Sequence, residues 1–491
     1  MDKVEFSVLL DYLIKNSSYS IKKLAEETNI NRTVLQKYIS GDRFPSSYAN
    51  IEKIADKLTL SKQQREHLYN VYKIEKVGYH KYECLKSIKQ IIENISYPKD
   101  VSDYDFNIDY TFDSVSNFAT NKDELVMIVR YLINHAKQSK SHKIKVYLPK
   151  SNEIFKIIFD NLKSNSLLSM ELLIKISTTD ANQLDNIKQF ENLLPIIFLD
   201  NCNIRYQYSD LSLMIENPFS FPYLISSDTY TLLINTDLTS GILLEKDIND
   251  YLSKQFDNSF NKADPFCRNI TSVVDIVNYY VQSYDFSNPN AVNDIRSFSF
   301  EPCIVPNLDR YIIQEKYTGP QEYLQFIADF LLTYINKQLT HIKEGKKFVF
   351  YFTKSGLKSF YKTGRVSEIP NHFYKPFSKN EVILILKRML NLAKKHSNYQ
   401  FYIVKESKFN IPNKFSLVLN NKNDVLFSIG GKNDDTSVSI VLLEPILKNE
   451  FYSLTELIEL EECYYDFEYS MQYLENFIKT HPLKSNQYDN Q

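Results

Sequence analysis

The chain of 491 residues has no tryptophan, only nine glycines and five cysteines, and no long uninterrupted apolar run. Each shortage excludes something. Phosphate-cradling loops need glycine where the backbone approaches an anion closely, and neither GxGxxG nor GxxxxGK[ST] occurs. No window approaches the ~18 consecutive apolar residues that a membrane-spanning helix requires, so no membrane partner is expected. The opening MDKVEFSVLLDYLIKNSS lacks a basic flank leading to an apolar run and a small-residue cleavage site. Cys84, Cys202, Cys267, Cys303 and Cys463 are odd in number, scattered, and form no CxxC pair. Reduced thiols in a cytoplasmic protein are therefore expected.

Catalytic and metal-binding spacings are also missing. None of the eight histidines stands in an HxxxH or HExxH pattern, and no GxSxG elbow is present. His341-Ile342-Lys343 opens an HxKxxxxD pattern, but Phe348 occupies the aspartate position. Asp200, Asp228, Asp237, Glu461 and Glu462 are carboxylates with no telling spacing, expected to be solvated. The resulting expectation is a protein that is not an enzyme, with no cofactor and no metal.

What is present is an ordinary globular balance, 43% hydrophobic and 24% charged, in a chain long enough for several domains. The 36 tyrosines and 32 phenylalanines fit a general drift towards Lys, Asn, Ile, Tyr and Phe. A tyrosine-lined ligand pocket is the sharper alternative, which composition does not locate. The net charge of −2 is unevenly spread: residues 1–100 carry 17 Lys and Arg against 13 Asp and Glu, and the remainder 41 against 47. So mild a bias suggests no nucleic acid by itself; the placement of the cations has to do so.

That placement is informative near the N-terminus. Val4, Val8, Leu9, Tyr12 and Leu13 recur at helical spacing. Ser20 is an N-cap for IKKLAEET, whose inward stripe is Ile21, Leu24 and Ala25. Asn29-Ile30-Asn31 form a three-residue turn, Asn31 caps RTVLQKYIS, and Gly41 suits a left-handed C-cap. Val34, Leu35 and Tyr38 anchor that third helix, leaving Arg32, Thr33, Gln36 and Lys37 on its outer face. A fourth helix follows through Ile51, Ile54, Ala55 and Leu58, and Ser61 with Gln64 makes a capping box for a fifth.

A short helix, a three-residue turn and a second short helix is the geometry by which a helix enters the major groove. The run YSIKKLAEETNINRTVLQKYISGDRFPS accordingly resembles the Cro/CI (Xre) family of repressors, over residues 4–60. The matching features are Leu24-Ala25, Ile30, the polar opening of the third helix, and the closing Gly41-Asp42-Arg43-Phe44-Pro45-Ser46. Ile21 departs from a position where members often carry glutamine, and Ile39 from one often acidic. The resemblance implies base-edge contacts from Arg32, Thr33, Gln36 and Lys37. Ser20, Lys22, Lys23, Asn31 and Arg43 complete the expected DNA-contacting set, the cations holding phosphates.

The expected organisation is a multidomain α/β chain. A lambda-repressor-like all-α domain of five helices, for DNA binding, covers 1–66 and a helical connector covers 67–100. The connector's apolar residues (Leu68, Tyr72, Ile74, Val77, Tyr82, Leu85, Ile88, Ile91, Ile92) pair either with a second copy or with the chain's own large region. Lys73, Lys76, Lys81, Lys86 and Lys89 read as a solvated face. A turn-rich, charged stretch at Tyr97–Asp103 marks the boundary with a mixed α/β region, divided into 101–300 and 301–491. Strands are expected at KIKVYL, ELLIKIS, PIIFLD, TYTLLIN, SGILL, KKFVFYFT and YQFYIV. FSLVL, DVLFSI and SVSIVLL should form an antiparallel meander, with turn signals at Asn420-Asn421 and Gly430-Gly431, followed by an acidic helical tail from Leu454 to Lys479. Helix, basic loop and aromatic strand recur into KIKVYL, KFVFYFT and YQFYIV, which records either an internal duplication or chance. Lys354, Lys358, Lys362 and Arg365 form either an anion site or, preferably, a wet helix face.

The functional expectation is a dimeric, sequence-specific regulator of transcription. Its partners would be double-stranded DNA, a second copy, and a small-molecule or peptide effector sensed by the C-terminal region. The alternatives are a DNA-tethered effector and a partner-binding scaffold of a defence or toxin–antitoxin system.

Overall fold

The computed structural model describes residues 5–46, 48–95, 116–148, 152–208, 221–270, 275, 277–279, 294–367, 369, 371–420, 424–430 and 437–483. Val4, the expected boundary at Tyr97–Asp103, and Asn421 and Gly431 lie outside the described residues. The architecture is mixed α/β, with two mixed sheets.

The first helices are α1 (Phe6–Lys15), α2 (Ile21–Thr28), α3 (Arg32–Ser40), α4 (Tyr48–Lys57) and α5 (Lys62–Val77). Their ends follow the capping chemistry. The Ser20 hydroxyl accepts from Lys23 N at 3.2 Å and the Asn31 side chain from Thr33 N at 2.9 Å. Gly41 ends α3 at φ +81°, and Ser61 and Gln64 bond reciprocally. Leu24, Leu35, Tyr38, Ile51, Ile54 and Ala55 share one buried core with Leu68 and Tyr72 of α5. In α1 the inward face differs from expectation: Phe6, Leu9, Leu10, Leu13 and Ile14 are buried, whereas Val8 and Tyr12 are exposed. That helix is apolar nearly all round, so periodicity leaves its rotation open until α3 and α5 pack against it.

Gly78, at φ +87°, separates α5 from α6 (Tyr79–Asn94). Tyr82, Leu85, Ile88, Ile91 and Ile92 of α6 are buried, against helices of the same chain, α9 (Gln183–Ile197) and α15 (Pro445–Leu460).

The first sheet runs in the order β1 (Phe118–Ala119), β7 (Gly241–Glu245), β6 (Tyr230–Ile234), β5 (Tyr223–Ser226), β2 (Lys143–Tyr147), β3 (Ser169–Ile176), β4 (Cys202–Tyr208), β8 (Asp264–Pro265). Helices α7 (Lys122–Gln138), α8 (Asn152–Ser164) and α9 share a core with one face, and α10 (Lys246–Lys262) packs on the other. The second sheet runs β12 (Tyr399–Ile403), β11 (Phe348–Phe352), β10 (Ile295–Ser299), β13 (Phe415–Asn420), β14 (Asp424–Gly430), β15 (Ser437–Leu442), β9 (Cys267–Ile270). Its helices are α11 (Arg310–Lys316), α12 (Leu324–Lys343), α13 (Lys354–Thr363), α14 (Lys379–Lys395), α15 and α16 (Phe467–Thr480).

The two sheets are wired alike. Each has three parallel strands, then a three-stranded antiparallel meander, then a helix that returns to the sheet. Local bonding repeats too. The Asn201 amide donates to the carbonyls of Leu162 and Leu168 at 3.0 and 2.7 Å, and the Asn398 amide to those of Ile342 and Lys346 at 2.7 and 2.5 Å. Met170 N donates to Asn201 O, and Phe348 N to Asn398 O. The repeat therefore matches β2 with β10, β3 with β11 and β4 with β12. KIKVYL corresponds to the strand at Ile295, not to KFVFYFT.

Two elements depart from expectation. PIIFLD is not a strand: its first three residues are the last turn of α9, with Pro195 inside the helix. Leu193, Ile196 and Ile197 complete that helix's buried face, and the strand begins only at Cys202. The acidic tail is two helices, α15 and α16, broken where Tyr464 bridges to Val404.

The largest core spans both sheets, with Phe190 of α9 5.8 Å from Phe427 and 5.3 Å from Phe451, ring centre to ring centre. A second core lies on the other face of the second sheet, around Phe348, Phe350, Phe352, Tyr399 and Phe401. Among the described residues no helix is long and apolar enough to cross a membrane.

Candidate nucleic-acid interface

The amphipathic split of α3 follows from its sequence. Leu35 and Tyr38 turn into the core, so positions 32, 33, 36 and 37 face away from it. Arg32, Thr33, Gln36 and Lys37 are all exposed in the full chain, as are Ser20, Lys22, Lys23, Asn31 and Arg43. Each donor type here reaches phosphate oxygens or base edges: Arg bidentately to guanine, Gln to adenine, Lys as a point charge. None of the ion pairs found among the described residues engages Lys22, Lys23, Arg32, Lys37 or Arg43. Lys23 lies over the Tyr19 ring at 5.1 Å. Ser20 and Asn31 spend a side-chain acceptor on their caps, so their first role is to fix the helix ends.

The loop after α3 is held by aromatic packing. Phe44 stacks on Tyr72 with ring centres 5.0 Å apart and planes 3° off parallel, and Phe6 meets both edge-on. The Tyr72 hydroxyl donates to Pro45 O at 3.2 Å. Arg43 N donates to Lys37 O at 3.1 Å, continuing the turn of α3 into the loop. The five helices therefore present α3 on a fixed support.

That support is fastened to the α/β body. Glu461, at the end of α15, receives Lys73 of α5 at 2.8 Å on one oxygen and Lys89 of α6 at 2.7 Å on the other. Burial alone would raise the Glu461 pKa, but the two ammonium groups hold it below the usual carboxylate value. Lys408 adds a bond to Glu461 O at 3.2 Å and a 3.4 Å pair with Glu52 of α4. The expectation that all five connector lysines are solvated fails for Lys73 and Lys89, because α15 brings a carboxylate beneath them. No local signal pairs residues so far apart in sequence, and sequence reasoning missed this clamp.

The other candidates are dispersed. Asp228 accepts from Ser141 Oγ at 2.6 Å, and Asp200 from Asn269 at 3.3 Å. No group of three or more His, Cys, Asp or Glu suited to a metal occurs among the described residues. Of the C-terminal basic run, Lys358 and Lys362 are exposed, but Lys354 sits against Tyr465, Tyr469 and Tyr473. Arg365 donates to the carbonyls of Asn371 and Tyr374.

No protein-family model matches the chain, and no curated protein matches it. Solved structures with a distant likeness include phosphatidylserine synthase of Haemophilus influenzae, at 11% identity and TM-score 0.23, covering 81% of this chain and 98% of that one. TrmBL2, an archaeal chromatin protein, is similar at 10% identity and TM-score 0.20 over 53% of this chain and 93% of its own. Polyphosphate kinase of Porphyromonas gingivalis is similar at 10% identity and TM-score 0.18, over 72% and 54%. Two of these three are enzymes, and the expectation of a protein that is not an enzyme is corrected on that ground. Likeness at this level assigns no reaction.

Proposed function

We propose that the chain binds double-stranded DNA through the N-terminal face of α3 and acts as a dimeric regulator of transcription, with the α/β body carrying dimerisation and signal response. One observation carries the reading: Arg32, Thr33, Gln36 and Lys37 form a polar stripe, exposed and without ion pairs among the described residues, on a helix anchored from behind by Leu35 and Tyr38. Lys22 and Lys23 at the start of α2 and Arg43 after α3 flank that stripe, where phosphates pass a helix seated in the major groove. Dimerisation follows from contact area: one such module covers only ~600–1,000 Å² of its own surface on DNA, and two half-sites roughly double it.

The test is fluorescence polarisation of a labelled duplex from the region upstream of the chain's own coding sequence, followed by footprinting. Two protected patches about one helical turn apart are expected. Absence of binding at low salt, or one unsymmetrical patch, would overturn the proposal.

A further inference from the structure

The wiring shared by the two sheets allows one face to be compared position by position. In the first unit, Ile225, Leu232 and Leu243 lie in register across β5, β6 and β7, in one core with α7. In the second unit the matching residues are Val418, Leu426 and Val441. The described helical residues 275 and 277–279 precede β10 as α7 precedes β2, and Tyr279 among them packs there together with Ile270. Above them is a cavity of about 130 Å³, walled by apolar side chains including Ile312, Ile327, Leu331 and Phe377. A smaller one of about 40 Å³ adjoins it and shares Tyr279, Val305 and Leu426.

The floor is chemically unlike the walls. Ser299, Ser416, Ser428 and Ser439 pair in direct register across β10, β13, β14 and β15, forming a row of hydroxyls one strand apart. All four are buried. The matching row of the first unit, read through the same register, holds Tyr223, Ile234 and Gly241. The serines bond in pairs, Ser299 to Ser416 at 2.8 Å and Ser428 to Ser439 at 2.9 Å, with Ser297 joining Ser299 at 3.0 Å. A hydroxyl offers one donor and two acceptor sites, so this pairing leaves acceptor capacity on the row. Ser416 and Ser428 line the smaller cavity together with Asn420, and Ser439 lines the larger. The mutual bonds offset the cost of burying the row, and three of its four members line the two cavities with acceptor sites to spare.

Charge narrows the occupant. The ammonium of Lys316, at the cavity wall, is already paired with Glu381 at 2.8 Å and Glu315 at 3.2 Å. An ionised guest would have to break that pairing.

We infer that this cavity is a binding site for a neutral amphipathic small molecule, whose apolar body fills the larger chamber and whose single hydroxyl or carbonyl end rests on the serine row. An engineered apolar cavity of ~150 Å³ binds benzene, so one or two fused rings or a short aliphatic chain is the size expected. The inference does not depend on the DNA-binding reading.

The experiment uses the full-length protein with 1-naphthol, followed by its fluorescence, and naphthalene as the partner lacking a hydroxyl. Saturable 1-naphthol binding with Kd below ~1 mM is expected, about fivefold tighter than naphthalene, as one net hydrogen bond gives. Ser416→Ala with Ser428→Ala should bring that ratio to about one while retaining naphthalene binding. Leu426→Phe, which adds volume to the wall shared by both chambers, should remove binding of both, and a thermal melt verifies that this variant is folded. No saturable binding of either compound to the unsubstituted protein, or an unchanged ratio in the double serine variant, would overturn the inference.

Discussion

Lys89 Nζ lies 2.7 Å from Glu461 Oε2 across 372 positions of sequence, and the other oxygen of the same carboxylate receives Lys73. One acidic side chain thus joins α5 and α6 to the end of α15. Glu461 and both lysines are largely buried, so the pairs work in a medium where charge is weakly screened.

Removing that carboxylate takes from two buried ammonium groups the counter-charge they share. Glu461→Ala is expected to cost ~3 kcal/mol of folding stability, measured by urea denaturation. The pH dependence has a definite sign. The folded pKa of Glu461 lies below its unfolded value of about 4.3, so its contribution is complete above that pH and is lost as pH falls through the folded value. Glu461→Gln should flatten the acid limb of the stability profile. An unchanged limb would show that the clamp contributes nothing.

At the proposed DNA face, two substitutions should behave differently. Gln36→Ala is expected to relax sequence preference by ~1–3 kcal/mol at one base position. Lys22→Ala should weaken all duplexes alike and lower the slope of log K against log salt by about 1. Polarisation titrations at several salt concentrations separate the two effects. Equal, sequence-blind losses from both would refute the assigned roles.

Gly356 sits in the first turn of α13, its N–H donating to the Thr353 hydroxyl at 2.7 Å. A methyl group there would overlap the backbone carbonyl of Phe300, which cannot yield as a flexible side chain would. Gly356→Ala is therefore expected to lose ~3 kcal/mol, read as a lower midpoint in a denaturant melt. Wild-type stability would mean that β10 and α13 are not in such close approach.

Thiol chemistry should divide the cysteines. Burial pushes Cys84 and Cys463 up to about 12, so at neutral pH they hold almost no thiolate. In the native protein neither should react with Ellman's reagent within minutes, and both should react in urea. Peptide mapping after brief alkylation assigns the sites; early labelling of Cys84 or Cys463 would contradict their burial beneath α6 and α15.

Local chemistry was legible wherever one or two residues carried it. Ser20, Asn31 and the Ser61–Gln64 box cap helices by bonds to residues two or three positions on, and Gly41 ends one by its left-handed backbone, features a sequence displays directly. The strand FSLVL and its two successors were legible because they follow one another closely in the sequence and are rich in aliphatic and aromatic residues. PIIFLD misled because a run of large apolar residues suits a buried helix end as well as a strand. Lys73 and Lys89 misled because a lysine looks solvated until a carboxylate from elsewhere is brought to it.

The sequence by itself determined the helix caps, the polar outer stripe of α3, and most strands of the two sheets, because these depend on neighbours within a turn or a hairpin. Only the tertiary structure decided that α1 buries Phe6 and Leu10 and leaves Val8 exposed, that β2 is matched by β10, and that Glu461 joins the helices to the body. Those outcomes depend on which surfaces meet. Apolar area and charge are indifferent to partner until the whole chain has folded.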